Sequence, residues 1–125
     1  MNQNLANRRI FAEWVVQAQR SAERFAVMVV SVDRYDEISN AIGKENGDDI
    51  LRQVAQILKK IIWKKDGLAK CDGSAFAILL RMKDGSGVTK AADKIRDAFS
   101  SPISVADHSI YVSLSIGISV FPDDA

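Results

Sequence analysis

The chain has 125 residues, of which 47% are hydrophobic and 26% are charged, and its formal net charge at neutral pH is +1. These values are typical of one globular domain and give no bulk electrostatic attraction to nucleic acid or to a membrane surface. Residues 1–10 lack the apolar segment of a signal peptide, and no apolar run approaches the ~20 residues that span a bilayer. Because Cys71 is the single cysteine, we expect a cytoplasmic domain without disulfides.

The first predicted element is an amphipathic helix. Its apolar residues recur at the spacing of one helix face: Ile10, Phe11, Trp14, Val15 and Ala18. Asn7 precedes this stripe and is of a type that accepts hydrogen bonds from the first helical N–H groups. The pattern therefore predicts a helix that begins after Asn7, or earlier in the chain, because arginines at positions 8 and 9 are unfavourable in a first helical turn.

The segment Phe25–Val32 reads FAVMVVSV, an almost continuous apolar run. Such a run is typical of a strand that is buried on both faces, in a sheet covered by helices. Asp33 follows at the carboxyl end of this strand. A short helix over residues 36–42 comes next and ends at Gly43.

A long helix is predicted after Gly47-Asp48. Its apolar residues keep helical spacing over more than three turns: Ile50, Leu51, Val54, Ala55, Leu58, Ile61 and Ile62. The apolar segments 68–71 and 74–80 then flank Asp72-Gly73, which predicts a β-hairpin. Another amphipathic helix runs from Val88 to Phe99.

The last segment alternates between apolar and small residues with period two, from Ile110 to Val120, and this pattern predicts one strand. A weaker strand, Ile103–Val105, is expected to pair with it through Asp107-His108. The resulting order is α-β-α-α-β-β-α-β-β. We predict an α/β (α+β) fold in which helices flank a mixed sheet.

Local motifs in this order resemble the GGDEF family, the diguanylate cyclase domain of bacterial signalling. Five segments carry the resemblance across nearly the whole chain: Asn7-Arg8-Arg9 with Phe11, Val32-Asp33-Arg34-Tyr35, Ile38 with Gly43 and Gly47-Asp48, Asp72-Gly73-Ser74-Ala75-Phe76, and Ser115-Ile116-Gly117-Ile118 with Phe121-Pro122. The resemblance implies a five-stranded sheet flanked by helices, similar to that of nucleotide cyclases. In active members two subunits, each holding one GTP with magnesium ions, form cyclic di-GMP.

The metal-binding positions of the family are altered in this chain. The resemblance places Ser31 and Ser74 where the family has the two carboxylates that bind magnesium, and Ala75 where its signature has glutamate. Magnesium requires hard oxygen ligands, and two-metal phosphoryl transfer needs their negative charge. We therefore expect no catalytic residue among these three positions, no resident cofactor, and magnesium only if GTP binds.

The nucleotide-binding positions are retained in part. The resemblance places Ser39 at the asparagine that contacts guanine, and it retains Asp48 as the acid that accepts hydrogen bonds from the base. The alternative explanation of Asp48, which the capping rule alone supports, is a residue that stabilises a helix start. Asp33 is the candidate metal ligand, with plain hydrogen bonding as the alternative. Gly73, and Asp72 before it, lie in the turn that contacts phosphates in the family, although Gly73 also suits the turn itself.

The inhibitory product site of the family corresponds to residues 63–66. Trp63 replaces its arginine, whereas Asp66 remains, and an indole cannot grip an anion as a planar guanidinium does. We therefore predict that this site is lost. The sequence also stops before the last helix of the family, so residues 1–125 are interpreted as a single GGDEF-like domain from a longer multidomain protein.

Three functions are compatible with the sequence. The first is a catalytically degenerate GGDEF domain that acts as a regulatory or interaction module in cyclic di-GMP signalling. The second is a GTP-binding sensor that controls a linked phosphodiesterase of the EAL type, and the third is an active cyclase with unusual ligands. The expected partners are GTP, a linked EAL-type or sensory domain and a second copy of the domain, with no nucleic acid and no membrane contact.

Overall fold

The computed structural model describes residues 7–21, 24–62, 67–71, 73–81 and 86–121. The elements follow in this order: α1 Arg8–Arg20, β1 Phe25–Val32, α2 Tyr35–Ile42, α3 Lys44–Ile61, β2 Gly67–Lys70, β3 Ala75–Arg81, α4 Ser86–Ala98, β4 Ile103–Val105, β5 His108–Ile110 and β6 Leu114–Phe121. One sheet has the strand order β2-β3-β1-β6, and β4 pairs with β5 in a separate hairpin. Strand β1 is therefore central, between β3 and β6.

The predicted α+β fold with helices flanking a sheet is confirmed, and the predicted bounds of β1 are those observed. The sequence predicted a five-stranded mixed sheet. Within the described residues the main sheet has four strands, and all of the strand pairs are antiparallel. The hairpin predicted around Asp72-Gly73 is present as β2 and β3.

The single strand predicted from Ile110 to Val120 is wrong, because residues 111–113 separate β5 from β6. Val112 is buried within this break, so the apolar alternation continues although the strand does not. The backbone N–H of Asp33 donates to the Ser113 carbonyl at 2.9 Å. This contact attaches the break to the end of β1, and periodicity alone cannot reveal it.

The sheet has an apolar core on each face. Residues of β1 that alternate along the strand face α3 and α4: Ala26, Met28, Val30 and Val32. On the other face, Phe25 packs with Ala77, Leu79 and the α1 residue Phe11. The near-continuous apolar sequence of β1 is thus explained by burial on both faces.

Of the two predicted starts of α1, the structure has the one after Asn7, whose side chain accepts a hydrogen bond of 2.9 Å from the Ile10 N–H. Phe11 and Ala18 are buried, and Trp14 lies against Gly67 of β2. The close approach of Trp14 requires a residue without a side chain at position 67.

Helix α3 starts at Lys44, one residue after Gly43, which has a positive φ of 95°. Gly47 and Asp48 therefore lie inside the helix, and the prediction that they precede it is wrong. The Gly47 N–H donates to the Gly43 carbonyl at 2.9 Å, as expected within a first helical turn. The interpretation of Asp48 as a helix-start residue is wrong for the same reason.

Candidate functional site

The candidate site lies at the carboxyl end of β1, where neighbouring strands bring three small residues together. Ser31 on β1 pairs with Ala75 of β3 on one side and with Ser115 of β6 on the other. These side chains point to one face of the sheet because directly paired residues share a face. Ser31 and Ala75, two of the three positions that the resemblance predicts to be altered, are thus neighbours on the sheet.

Asp33 follows β1 and both of its carboxylate oxygens accept hydrogen bonds. Ser115 Oγ donates to Asp33 Oδ1 at 2.6 Å, and Ser113 Oγ donates to Asp33 Oδ2 at 2.9 Å. The hydrogen bond from Ser115, and then that from Ser113, lower the pKa of Asp33 below its ordinary value because they stabilise the charged form. Asp33 therefore joins the end of β1 to the start of β6.

Ser74 is held by backbone atoms of β1. Its Oγ donates to the Val32 carbonyl at 3.3 Å, and its own carbonyl accepts from the Val32 N–H at 3.2 Å. The hydroxyl is thus bound to the strand end, and Ala75 beside it has no polar side-chain atom. Within the residues that the structure covers, no group of three or more histidine, cysteine or acidic side chains is arranged to hold a metal.

A second polar cluster lies between α2 and α3, next to the end of β1. Tyr35 and Ser39 share a side-chain hydrogen bond, and partial burial raises the pKa of the Tyr35 hydroxyl, with a smaller contribution from the nearby charge of Asp48. A Cβ on Gly47 would lie 2.6 Å from Ser39 Oγ and 3.0 Å from the Tyr35 hydroxyl. The absence of a side chain at Gly47 therefore allows α2 and α3 to pack close to each other. Asp48, the next residue, is exposed. Ser39 and Asp48, the two positions predicted to contact a base, thus both lie near the Tyr35 hydroxyl.

Lys70 binds two backbone carbonyls of the segment that joins β2 to β3. Gly73 has a positive φ of 65°, which a glycine adopts without strain. Lys70 Nζ donates to the Cys71 carbonyl at 2.7 Å and also to the Gly73 carbonyl. The same ammonium lies 5.5 Å from the centre of the Phe76 ring, within the range of a cation–π contact.

The amino end of α2 is a further polar element beside Asp33. Arg34 precedes the helix with a positive φ of 55°, and its side chain makes no capping hydrogen bond in the described structure. The first N–H groups of a helix have no partner inside the helix, and together with the helix dipole they favour anions. Asp36 and Glu37 lie in this first turn, and their charges oppose that preference.

Sequence reasoning missed Tyr35, Lys70, Ser113 and Ser115 as site residues. The partners of Lys70, Ser113 and Ser115 are backbone atoms or are far away in sequence, so no local pattern marks these three residues. Tyr35 binds the side chain of Ser39 one helical turn away, a local pair that the sequence argument did not use. The small residues that alternate along the last predicted strand were the available signal for Ser113 and Ser115. Three predicted positions, Asp72, Trp63 and Asp66, lie outside the described residues.

The antiparallel sheet, its covering helices and the polar residues at the end of β1 define a nucleotide-cyclase-like α+β domain. Residues 2–125 match the family described as "Diguanylate cyclase, GGDEF domain". The chain therefore belongs to the GGDEF family, and the predicted resemblance is confirmed.

Two proteins and one crystal structure from Pseudomonas aeruginosa are similar to this chain in sequence or in fold. The diguanylate cyclase TpbB of Pseudomonas aeruginosa (strain UCBPP-PA14) is 32% identical over 128 residues, which cover 98% of this chain and 29% of TpbB. The bifunctional diguanylate cyclase/cyclic di-GMP phosphodiesterase MucR of P. aeruginosa is 29% identical over 110 residues, which cover 88% of this chain and 16% of MucR. The crystal structure of the TpbB GGDEF domain superposes with a TM-score of 0.88 at 30% identity, over 97% of this chain and 79% of that one.

The chain thus spans less than a third of the length of these two curated relatives. None of the helices in the described parts of the chain has the length and apolar character needed to cross a bilayer.

Proposed function

We propose that this GGDEF domain serves cyclic di-GMP signalling as a regulatory or interaction module and does not synthesise cyclic di-GMP. The observation that carries the proposal is the state of the residues at the end of β1. Ser31 and Ala75 are paired neighbours on the sheet, Ser74 is hydrogen-bonded to Val32, and both oxygens of Asp33 accept hydrogen bonds from serines.

We infer the absence of cyclase activity from the negative charge that the reaction requires at its metal ligands. Two-metal phosphoryl transfer uses carboxylates to hold the ions that neutralise phosphate charge and activate the attacking hydroxyl. Serine hydroxyls at positions 31 and 74 are neutral, and alanine at position 75 can neither bind a metal nor accept a proton. Asp33 alone supplies one carboxylate, and a magnesium ion at that carboxylate would compete with the hydrogen bonds from Ser113 and Ser115.

The test is product formation by the full-length protein that carries this domain, with GTP and magnesium or manganese, followed by liquid chromatography and mass spectrometry. TpbB serves as the positive control under the same conditions. We expect no cyclic di-GMP above the background without enzyme. Cyclic di-GMP that forms with the unaltered protein and is lost in an Asp33→Asn variant would overturn the proposal.

A second candidate function is a GTP-binding sensor that controls a linked phosphodiesterase or sensory domain, with a second copy of the domain as a further partner. The cluster of Tyr35, Ser39 and exposed Asp48 supports it, because Asp48 can accept hydrogen bonds from the N–H groups of a guanine edge. The resemblance to the family places the phosphates at the turn that carries Gly73. Magnesium would accompany the nucleotide. The name of MucR, which joins cyclase and phosphodiesterase functions in one protein, is consistent with this arrangement.

Calorimetric titration of GTP with magnesium into the full-length protein tests this candidate. Saturable binding in the micromolar range, about −8 kcal/mol, that weakens at least tenfold in Asp48→Asn would support it. Asp93→Asn removes an exposed aspartate of α4 and is the matched control, with an unchanged affinity expected. An absence of heat and of thermal stabilisation by GTP would exclude the sensor and leave the interaction module.

A further inference from the structure

The first turn of α3 contains the dipeptide Asn46-Gly47, and Asn46 is the one asparagine of the chain that a glycine follows. The side-chain carbonyl of an asparagine can be attacked by the backbone nitrogen of the next residue when the chain is free to rotate. A glycine leaves that nitrogen unhindered, whereas any other residue places a Cβ beside it. By its sequence, Asn46 is therefore the asparagine of this chain that is most open to such an attack.

The fold holds both reacting groups away from each other. The side-chain amide of Asn46 donates to the Ile42 carbonyl at 2.8 Å, and the backbone N–H of Gly47 donates to the Gly43 carbonyl at 2.9 Å. Asn46 also lies within α3, and a helical ψ of about −42° does not direct the Gly47 nitrogen at the side-chain carbon of Asn46. The attack therefore requires that both hydrogen bonds break and that this turn opens.

The first turn of α3 is a weak part of the helix. Gly43 precedes it and has no side chain that could cap the helix, and Gly47 gives the open chain additional backbone entropy. The ends of helices open in local fluctuations that leave the rest of the domain folded. Because such opening takes microseconds to seconds, it is fast compared with the attack on the amide. The reaction rate should therefore equal the rate in an unstructured peptide multiplied by the open fraction.

We propose that Asn46 is a deamidation site whose reactivity is controlled by the opening of the first turn of α3. In the open turn the Gly47 nitrogen forms a bond to the side-chain carbonyl carbon of Asn46 and loses its proton to water, and the side-chain nitrogen leaves as ammonia. Water then opens the resulting succinimide at either carbonyl, which gives aspartate or isoaspartate. The site is independent of the proposed function, because the reaction requires neither a nucleotide nor a metal.

Both products alter the junction between α2 and α3. A carboxylate at position 46 cannot donate to the carbonyl of Ile42, which is the last residue of α2 and has no hydrogen-bond donor inside that helix. Isoaspartate also adds a methylene to the main chain, so the hydrogen bond from Gly47 to Gly43 cannot form with helical geometry. The modification should therefore loosen the packing of Gly47 against Ser39.

The rate of conversion in the full-length protein at neutral pH tests the proposal, with peptide mapping by mass spectrometry as the readout. A synthetic peptide of residues 43–50 gives the rate in an open chain, and amide hydrogen exchange at Gly47 gives the open fraction independently. We expect conversion to be at least tenfold slower in the protein than in the peptide, and to be slowed by the same factor as the exchange to within about fivefold. Slowing of less than tenfold, or factors that differ by more than this margin, would overturn the proposal.

Substitutions test the control by the turn. Gly43→Ala places a side chain at a φ of 95° and should accelerate both conversion at Asn46 and exchange at Gly47 at least fivefold. Gly87→Ala lies in α4, where a Cβ would meet no described atom within 4 Å, and should leave both rates unchanged. Faster exchange in Gly43→Ala without faster conversion would contradict the proposal. The comparison of protein with peptide decides the matter even if Gly43→Ala fails to fold.

Discussion

Ser115 Oγ lies 2.6 Å from Asp33 Oδ1, so a hydroxyl of β6 holds the carboxylate that follows β1. Ser113 holds the other carboxylate oxygen, and its carbonyl accepts from the Asp33 backbone N–H. Three hydrogen bonds thus connect two segments that are about eighty positions apart in the sequence. Asp33 has a structural role at this end of the sheet whether or not a nucleotide binds there.

The contribution of Asp33 to stability should depend on pH. Its folded-state pKa is lowered below the ordinary value of 3.8 by the two serine hydrogen bonds, so the stabilisation is present above pH 3.8 and is lost as the pH falls through the folded-state pKa. A Ser113→Ala/Ser115→Ala variant should therefore unfold at lower urea concentration at neutral pH, and the difference from the unaltered protein should shrink on acidification. Urea unfolding at pH 7 and pH 3, with NMR titration of the Asp33 carboxyl, measures both effects.

Ser119→Ala is the matched control, since Ser119 is exposed on β6 and no side-chain hydrogen bond of its own is identified in the described structure. It should leave the stability and the Asp33 pKa unchanged. An Asp33 pKa that stays low in the double variant would show that the serines are not its cause.

Substitution at Gly47 should destabilise the contact between α2 and α3. In Gly47→Ala the new Cβ would lie 2.6 Å from Ser39 Oγ, and overpacking of this kind costs about 1–3 kcal/mol. Alanine recovers about 1 kcal/mol of helix propensity, so we expect a net loss of about 1 kcal/mol in the free energy of unfolding. Adding Ser39→Ala should recover part of this loss, as a double-mutant cycle would measure.

Gly87→Ala provides the comparison, because Gly87 lies in α4 and a Cβ there would meet no atom of the described residues within 4 Å. Alanine at position 87 should raise the free energy of unfolding by up to about 1 kcal/mol. If Gly47→Ala stabilised the protein by a similar amount, the close approach of the two helices would be refuted.

Gly67 should tolerate no side chain while Trp14 keeps its position. A Cβ on Gly67 would overlap the ring of Trp14, so Gly67→Ala must displace the indole and should cost about 1–3 kcal/mol. The loss should be smaller in a Trp14→Leu background, because the ring that must move has been removed. Thermal unfolding measures the cost, and Gly117→Ala on β6, where the described structure leaves the Cβ position open, should be close to neutral.

The sequence predicts most elements of this fold because their signals are local. The apolar run of β1, the cap at Asn7 and the positive φ of Gly73 each depend on neighbours within a few positions. The start of α3 was misplaced because Gly47 and Asp48 look like a helix boundary, whereas Gly43 makes the actual turn with its φ of 95°. The reason for a glycine at position 47 is contact with Ser39 and Tyr35, which the sequence does not show.

The residue types proposed for the candidate site come from the sequence, whereas their hydrogen bonds come from the structure. Comparison with the family motifs predicts from residue type alone that Ser31, Ser74 and Ala75 are altered positions. The hydrogen bonds of Asp33 depend on the pairing of β1 with β6 and on the break at residues 111–113, which interrupts an otherwise regular alternation. Strand pairing between distant segments is a tertiary property, so the sequence left metal binding and hydrogen bonding open for Asp33.

Lys70 should determine the rigidity of the turn that carries Gly73 and Ser74. Its ammonium donates to the carbonyl of Cys71 in a partly buried hydrogen bond and to the carbonyl of Gly73 in an exposed one. A hydrogen bond to a charged group contributes about 1.5–3 kcal/mol. Lys70→Met should therefore lower the free energy of unfolding by about 1–3 kcal/mol and accelerate amide hydrogen exchange at Gly73 and Ser74. Lys60→Met, at an exposed position of α3, controls for the loss of one lysine charge and should change neither quantity. A turn whose exchange rates are the same in Lys70→Met would show that the positive φ of Gly73 and the strand pairing of β2 with β3 are sufficient to hold it.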